Sequence, residues 1–426
     1  MLDIKFIREN KDLIKEGARK KHLSFDVDAL VAVDDKRKAL LTSIEAKKAK
    51  QNEVSAKITT ASFEERQSLI SHMQAVKGEL QSEEENLKIV MKEWQTLMVA
   101  VPNIPDMSVP EGVDDADNAE VRVWGEIPKF DFIPKTHIEI MQALDMADFE
   151  RGTKVSGFRG YFLKNDGALL NFALWQFVTD HFTKKAFTPM IVPSLVNRDT
   201  LLGSGYLPQG EEDLYKTQDN DYLAGTGEVA TMAYYSDEVL DKAKLPMRML
   251  AFSTCFRREA GSHGKDTKGL MRVHEFFKLE QVVLCKADHQ QSVDLHEEIT
   301  KNAEEIMQLL NIPYHVVANC GGDLGLGQVK KYDIEAWVPS EEKYRETHSA
   351  SYFHDFQTRR LNIRYRDDEG KLRFVHSLNS TALPTPRPLI ALIENNQTAD
   401  GSIIIPEVLR PYMGGRDIIK LANITQ

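Results

Sequence analysis

The sequence predicts an α+β protein in which an N-terminal antiparallel helical coiled-coil arm precedes a domain with a mainly antiparallel β-sheet flanked by helices. Three observations predict it. Apolar residues recur at spacings of four and three between residues 69 and 97, and Pro102, Pro105 and Pro110 interrupt the chain just beyond. After them strand-like and helix-like segments intermingle, several strands lying close enough in sequence to form hairpins.

The arm comes first. Leu69, Met73, Val76, Leu80, Leu87, Val90, Trp94 and Leu97 form a coiled-coil stripe in which Glu83 is the polar member. A preceding helix carries a weaker stripe through Leu40, Ile44, Val54 and Ile58, with Ala46, Ala49 and Ala56 filling in. Between the two, in TTASFEE, Ser62 is placed to cap the second helix and Glu65 to complete a capping box. Residues 36–100 therefore fold back as an antiparallel hairpin, about 50 Å long at 1.5 Å per residue. Its charge is asymmetric. Residues 36–57 hold seven basic side chains against Glu45 and Glu53, net +5, whereas residues 64–93 hold four basic against seven acidic, net -3. One strand of the arm is thus a candidate phosphate-tracking surface, the alternatives being a solvated face or a dimerisation rod. The linker VPNIPDMSVPEG has no periodicity, so the chain is expected to divide into residues 1–104 and 105–426.

In the second part VRVWGEI, TPMIVPSL, RMLAFSTCF, FFKLEQVVLC and SIIIPEVL read as strands, and residues 168–185, 288–310 and 388–397 as helices. One hairpin, CFRREAGSHGKDTKGLMRVHEFFKLEQ, carries chemistry on a strand face. Successive side chains alternate across a strand, so Arg272, His274, Phe276, Lys278 and Glu280 share one face, while Val273, Glu275, Phe277 and Leu279 take the other. The first face offers a fixed cation, an aromatic plate and a carboxylate in a row about 25 to 28 Å long. On the incoming strand Arg257 and Glu259 share a face by parity, and residues 261–272, with three glycines, form a loop able to move. That layout suits a nucleotide beside a zwitterion.

Composition excludes several classes. No apolar run reaches the length of a signal peptide or a membrane span, so the protein is expected in the cytoplasm, away from membranes. Cys255, Cys285 and Cys320 are too scattered for a disulfide framework or a CxxC site, which predicts reduced thiols and no structural zinc. A net charge of -11 argues against nonspecific nucleic-acid binding through overall charge.

The stretch FRREAGSHGKDTKGLMRVHEFFKLE resembles motif 2 of the class II aminoacyl-tRNA synthetases, in the form found in the seryl-tRNA synthetase family. TPMIVPSLVNR with Pro193 resembles motif 1, the dimer interface of that class; LNSTALPTPRPLIALIENNQ resembles motif 3; GTGEV resembles the loop with the family's Thr-x-Glu. PNIPDMSVPEGVDDADNAEVRVWG, DFERGTKVSGFRGYFL and IIIPEVLRPYMGG are similar to family stretches outside the motifs, and the coverage runs nearly end to end, arm included. The three motifs alone indicate only class II; the arm, the Thr-x-Glu loop and the linker point to the seryl family.

The resemblance implies a class II synthetase catalytic domain with a six- or seven-stranded antiparallel sheet. It implies attack of the serine carboxylate on the α-phosphate of ATP, then transfer of the seryl group to tRNA(Ser), and to tRNA(Sec) wherever one exists. It implies catalytic roles for Arg257, Arg272 and Arg387. ATP is matched to Arg257 at the α-phosphate, Glu259 at the adenine end, Arg272 at the phosphates, Phe276 beneath adenine, and Arg387 at the γ-phosphate, with Glu346 and Ser349 as oxygen ligands for Mg2+. L-Serine is matched to Thr226, Glu228, Arg257, Glu280 and Thr381. The chemistry agrees, because aligning two anions needs arginines and a hard cation rather than an enzyme nucleophile. A homodimer is implied by motif 1. His348 and His354 read as structural, and Pro388, directly after Arg387, leaves the start of that helix open.

Rival readings each lack a feature. A threonyl enzyme needs a Cys and His zinc site, a threonyl or prolyl enzyme does not carry this arm, and neither does a relative that loads carrier proteins. A noncatalytic tRNA-binding paralogue would be expected to lose the arginines, yet all three are present.

Overall fold

The structure is a computed structural model that describes residues 1–420 except His263 and Lys265. It divides into two compact units: Met1–Arg19 with Leu23–Pro102, and Lys20–His22 with the chain from Asn103 onward.

In the first unit two long helices pair, α1 (Val27–Ile58) and α2 (Phe63–Val99). Helix α1 begins nine residues before the expected arm. Asp26 caps it by accepting from Asp28 N and Ala29 N, both at 3.0 Å, and Val27, Leu30 and Val31 bury an apolar first turn. Ser62 caps α2 as expected, its N–H donating to Glu65 Oε2 at 3.1 Å in a capping box. The α2 stripe is buried or half-buried along its length. The α1 stripe needs correcting, because Ala46, Ala49 and Ala56 are exposed; Lys47 and Gln51 instead take the half-buried positions between Ile44 and Val54. Spacing of four and three through 40, 44, 47, 51, 54 and 58 wins over apolarity. The seam therefore contains a polar layer: Ser43 Oγ donates to Glu83 at 2.9 Å, and Lys47 Nζ reaches Glu83 at 3.1 Å and Glu79 at 2.8 Å.

The second unit is built on an eight-stranded sheet: β1 (Ala119–Trp124), β2 (Thr188–Ile191), β3 (Met247–Phe256), β4 (Glu275–Cys285), β5 (Tyr314–Ala318), β6 (Lys330–Val338), β7 (Lys343–His354) and β8 (His376–Thr385). Their order is β1-β5-β6-β7-β8-β4-β3-β2. All neighbours are antiparallel except β2, which lies parallel to β3 at the edge. The sheet is thus larger than the six or seven strands expected, and one strand runs the other way. SIIIPEVL yields only the short strand Ile403–Ile404; Pro406, with no N–H to donate, starts a 3-10 turn over Glu407–Met413.

Alternation assigns the two faces of β4. Leu279, Val283 and Cys285 belong to a core that also contains Leu174 from helix α3 (Asn165–Lys184), Ile299 from α5 (His289–Leu309) and Ile393 from α6 (Arg387–Asn395). The short helix Gly227–Ala233 is α4. Val282 and Leu284 point the opposite way, into a smaller core with Leu240, Ile363 and Val375. The residues preceding them on that face, Phe276, Lys278 and Glu280, line cavities instead. Among the described residues, no helix is long and apolar enough to cross a membrane.

Candidate active site

The expected strand face holds only where there is a strand. Strand β4 starts at Glu275, so alternation does not reach back to His274, which turns toward a separate cavity with Phe158 and donates from Nδ1 to Arg257 O at 3.0 Å. Glu259 likewise lies past the end of β3, in a left-handed backbone conformation (φ 56°). Arg272 and Glu259 nonetheless reach the cleft that Phe276 and Lys278 line.

Three guanidinium groups meet there, brought from just past the end of β3, the loop before β4, and α6. Arg257 lies over the Phe276 ring, 5.4 Å from its centroid. Arg272 donates to Glu259 Oε2 at 2.6 Å and sits 3.5 Å from Asp266 Oδ2, whose other oxygen takes Arg345 Nη2 at 2.6 Å. Arg387 is the first residue of α6, with Pro388 accommodated in its first turn, where no intrahelical N–H is needed. Its Nε donates to Met271 O at 3.0 Å, and its Nη1 lies 3.0 Å from Glu346 O and 3.3 Å from Glu346 Oε2. The cleft these side chains enclose has a volume of about 70 Å³.

Glu346 and Ser349 line the same cleft although three residues apart, a spacing that alternation alone would put on opposite faces. A β-bulge resolves this. Ser349 pairs with Asp333 and Glu346 with Glu335, so the register slips by one at Thr347, and two partners two residues apart on β6 bring both to one side. Partial desolvation opposes ionisation of Glu346, but the charges of Arg387, Lys331 and Arg257 outweigh it and hold the carboxyl below its ordinary range. About half of that side chain stays open to solvent (48%).

A second cavity of about 270 Å³ adjoins, sharing Arg257, Lys278 and Ser349 with the first and lined also by Tyr206, Thr226, Glu228 and Glu280. Thr226 caps α4, its Oγ1 accepting from Glu228 N at 3.3 Å. Lys278 Nζ is 2.5 Å from Glu280 Oε2. Burial pushes the Glu280 carboxyl up, with Lys278 countering. Burial also pushes Glu228 up, to about 7, against the hydrogen bond from Gln357 and with Glu280 adding repulsion. Thr381 lines the arginine-side cleft, not this cavity, but a second register slip, between Leu279 and Glu280, sets it directly opposite Glu280. His348 and His354 are not among the residues lining either cavity; burial pushes His348 down to about 3.

Sequence reading missed Lys278 as a site residue, although its place on the face of Phe276 and Glu280 was visible. Tyr206 and Gln357, which hold Glu228 from other elements, left no local signal.

Residues 1–105 match the seryl-tRNA synthetase N-terminal domain family, and residues 213–396 match the tRNA synthetase class II core domain (G, H, P, S and T). The chain is 46% identical to serine–tRNA ligase of Deinococcus radiodurans over 98% of its own length and 99% of the relative's. It is 43% identical to that of Clostridium tetani over 99% and 100%. Its fold is similar to seryl-tRNA synthetase from Pyrococcus horikoshii complexed with ATP (TM-score 0.91, 38% identity, 99% and 100% covered). It is also similar to cytoplasmic serine-tRNA ligase from Naegleria fowleri in complex with AMP (TM-score 0.87, 34% identity, 99% of each chain). With both domains matched in order, and relatives above 40% identity along the whole length, the chain belongs to the seryl-tRNA synthetase family of class II enzymes.

Proposed function

We propose a division of labour among these residues for the family's reaction, in which L-serine and ATP give seryl-adenylate and pyrophosphate, and the seryl group then passes to the 3′ end of tRNA(Ser). The observation that carries the reading is the meeting of Arg257, Arg272 and Arg387 in one cleft beside a cavity with two buried carboxylates. A serine carboxylate oxygen attacks the α-phosphorus of ATP, and the bond to the bridging oxygen breaks toward pyrophosphate. Arg257, at the junction of the cavities, binds the α-phosphate; Arg272 and Arg387 take the charge of the departing phosphates; Phe276 stacks beneath adenine, with Glu259 at its edge. Arg387 suits phosphate because its planar fork stays charged.

Glu346 and Ser349 supply two hard oxygen donors, one held ionised by neighbouring cations, which fits Mg2+. When bound, the ion would neutralise phosphate charge, and since no group of three or more His, Cys, Asp or Glu suited to a metal occurs among the described residues, its other ligands would be phosphates and water. Glu280 and Thr381 hydrogen-bond the serine hydroxyl. Alanine leaves them unsatisfied and is rejected strongly, whereas threonine is excluded by one methyl group, worth about 1 to 3 kcal/mol. Thr226 and Glu228 face the amino group.

Residues 1–104 serve as the tRNA-binding unit and residues 105–426 as the catalytic unit. The excess of basic residues over acidic ones on the α1 segment supports docking of the arm against the long variable arm of tRNA(Ser), by backbone shape more than bases, and of tRNA(Sec) wherever one exists. The enzyme works in the cytoplasm as a homodimer. The exposed Leu169 and Phe172 on α3 and Ile191 on β2 support a second copy covering this face.

Serine-dependent exchange of labelled pyrophosphate into ATP tests the reading. Exchange is expected with serine and at background level with threonine, alanine, proline and glycine. Exchange independent of serine would overturn it.

A further inference from the structure

The two carboxylates of the amino-acid cavity are held differently. Glu280 has a fixed counterion in Lys278 at 2.5 Å. Glu228, 3% exposed, is held by neutral donors: Oε1 accepts from Gln357 Nε2 at 2.6 Å and Oε2 accepts from the Tyr206 hydroxyl at 3.1 Å. Gln357 is itself locked. Its nitrogen donates to Ser204 O at 3.0 Å, and its oxygen accepts from Ser377 Oγ at 2.6 Å. A backbone carbonyl can only accept, so the contact with Ser204 fixes which end of the amide is nitrogen and turns its second N–H to Glu228. The Gln357 side chain comes from the short helix Phe356–Arg360 and is buried (1% exposed), yet it lines neither cavity.

We propose that Gln357 is a positioning residue for the amino-acid side of the reaction: anchored by Ser204 and Ser377, it aims the Glu228 carboxylate at the cationic amine of serine. The proposal rests on the reading that Glu228 meets that amine. A hydrogen bond given to a buried carboxylate stabilises its charged form without neutralising it, so the carboxylate keeps an electrostatic demand that only an incoming cation fills. A lysine in place of Gln357 would fill that demand permanently and compete with substrate. The other charged or titratable groups around Glu228 are Tyr206, Lys278, Glu280 and, beside Tyr206, Arg257. Of these Glu280 disfavours and Lys278 favours the charge on Glu228. Burial pushes Glu228 to about 7 and the Gln357 hydrogen bond is the largest influence pulling it back.

The test is pyrophosphate exchange with the full chain across about pH 6 to 9, comparing Gln357→Met, which keeps volume but donates nothing, with Gln357→Glu. At pH 7, kcat/KM for serine is expected to fall about tenfold to a hundredfold in Gln357→Met and further in Gln357→Glu. The acidic limb of the pH profile should move upward in the same order, while KM for ATP stays within about twofold. Profiles that do not move, or equal losses for serine and ATP, would overturn the proposal, since a merely structural glutamine predicts them. Should these variants not fold, Ser377→Ala frees the amide without removing it, and an unmoved acidic limb there overturns the proposal equally. Glu228→Gln, run alongside, separates the two claims. If it leaves the serine kinetics unaltered, Glu228 does not meet the amine; if it loses serine selectively while the Gln357 variants do not shift the profile, only the role of Gln357 falls.

Discussion

At the residue scale, Glu228 makes the pH dependence of the enzyme a readable quantity. Its carboxyl is raised to about 7 by burial, so below that pH the free protein carries it protonated and unable to pair with an ammonium. kcat/KM for serine is expected to rise with pH to a plateau above about 7, and a flat profile between about pH 6 and 8 would contradict it. The stability sign is the opposite. A raised carboxyl binds its proton more tightly folded than unfolded, so its contribution is fully present below the unfolded value of 4.5 and is lost as pH climbs through 7, on the order of 3 kcal/mol at most. Arg387 tests the phosphate side. Arg387→Lys keeps the charge but loses the fork that spans Met271 O and Glu346, and the exchange kcat/KM for ATP is expected to fall about a hundredfold, serine KM changing little. Single residues were legible where local rules apply without interruption: alternation along β4 found Phe276, Lys278 and Glu280 together, and failed at His274 because pairing begins only at Glu275.

At the element scale, irregularities of pairing place the chemistry. The bulge at Thr347 is what lets Glu346 and Ser349 face one way, and a strand read at period two cannot reveal it, because the extra residue is defined only against the partner strand. Inserting one residue between Ile334 and Glu335 on β6 should give Thr347 a partner, restore regular pairing and turn Glu346 to the face opposite Ser349. Exchange activity is expected to vanish while circular dichroism still reports a folded sheet; retained activity would show that the bulge positions nothing. Helix α1 teaches the same lesson. The alanines at 46, 49 and 56 looked like seam residues because they are small and apolar, but the partner helix selects Lys47 and Gln51, and Glu79 and Glu83 then meet Lys47. Ser62 and Glu65 were legible because a capping box is completed within four residues.

At the scale of the whole molecule, the two-part organisation was legible because prolines and a change of periodicity mark it; the eighth strand and the parallel edge were not, since sheet order depends on contacts far apart in sequence. Deleting residues 36–100 is expected to abolish tRNA charging and leave adenylate formation within about twofold, as a tRNA-binding arm requires; charging that survives would make the arm a scaffold. Sedimentation at micromolar concentration should give a dimer, and monomer alone would remove the role assigned to the apolar face of α3 and β2. One feature of β4 also bears on how the enzyme fails under stress. The side that carries Phe276, Lys278 and Glu280 continues directly into Val282 and Leu284, each wholly enclosed. Chemistry and hydrophobic anchor are thus mounted on one rail, so warming should not silence the enzyme while its scaffold survives: the midpoint for lost turnover and the midpoint for melting of the sheet should coincide.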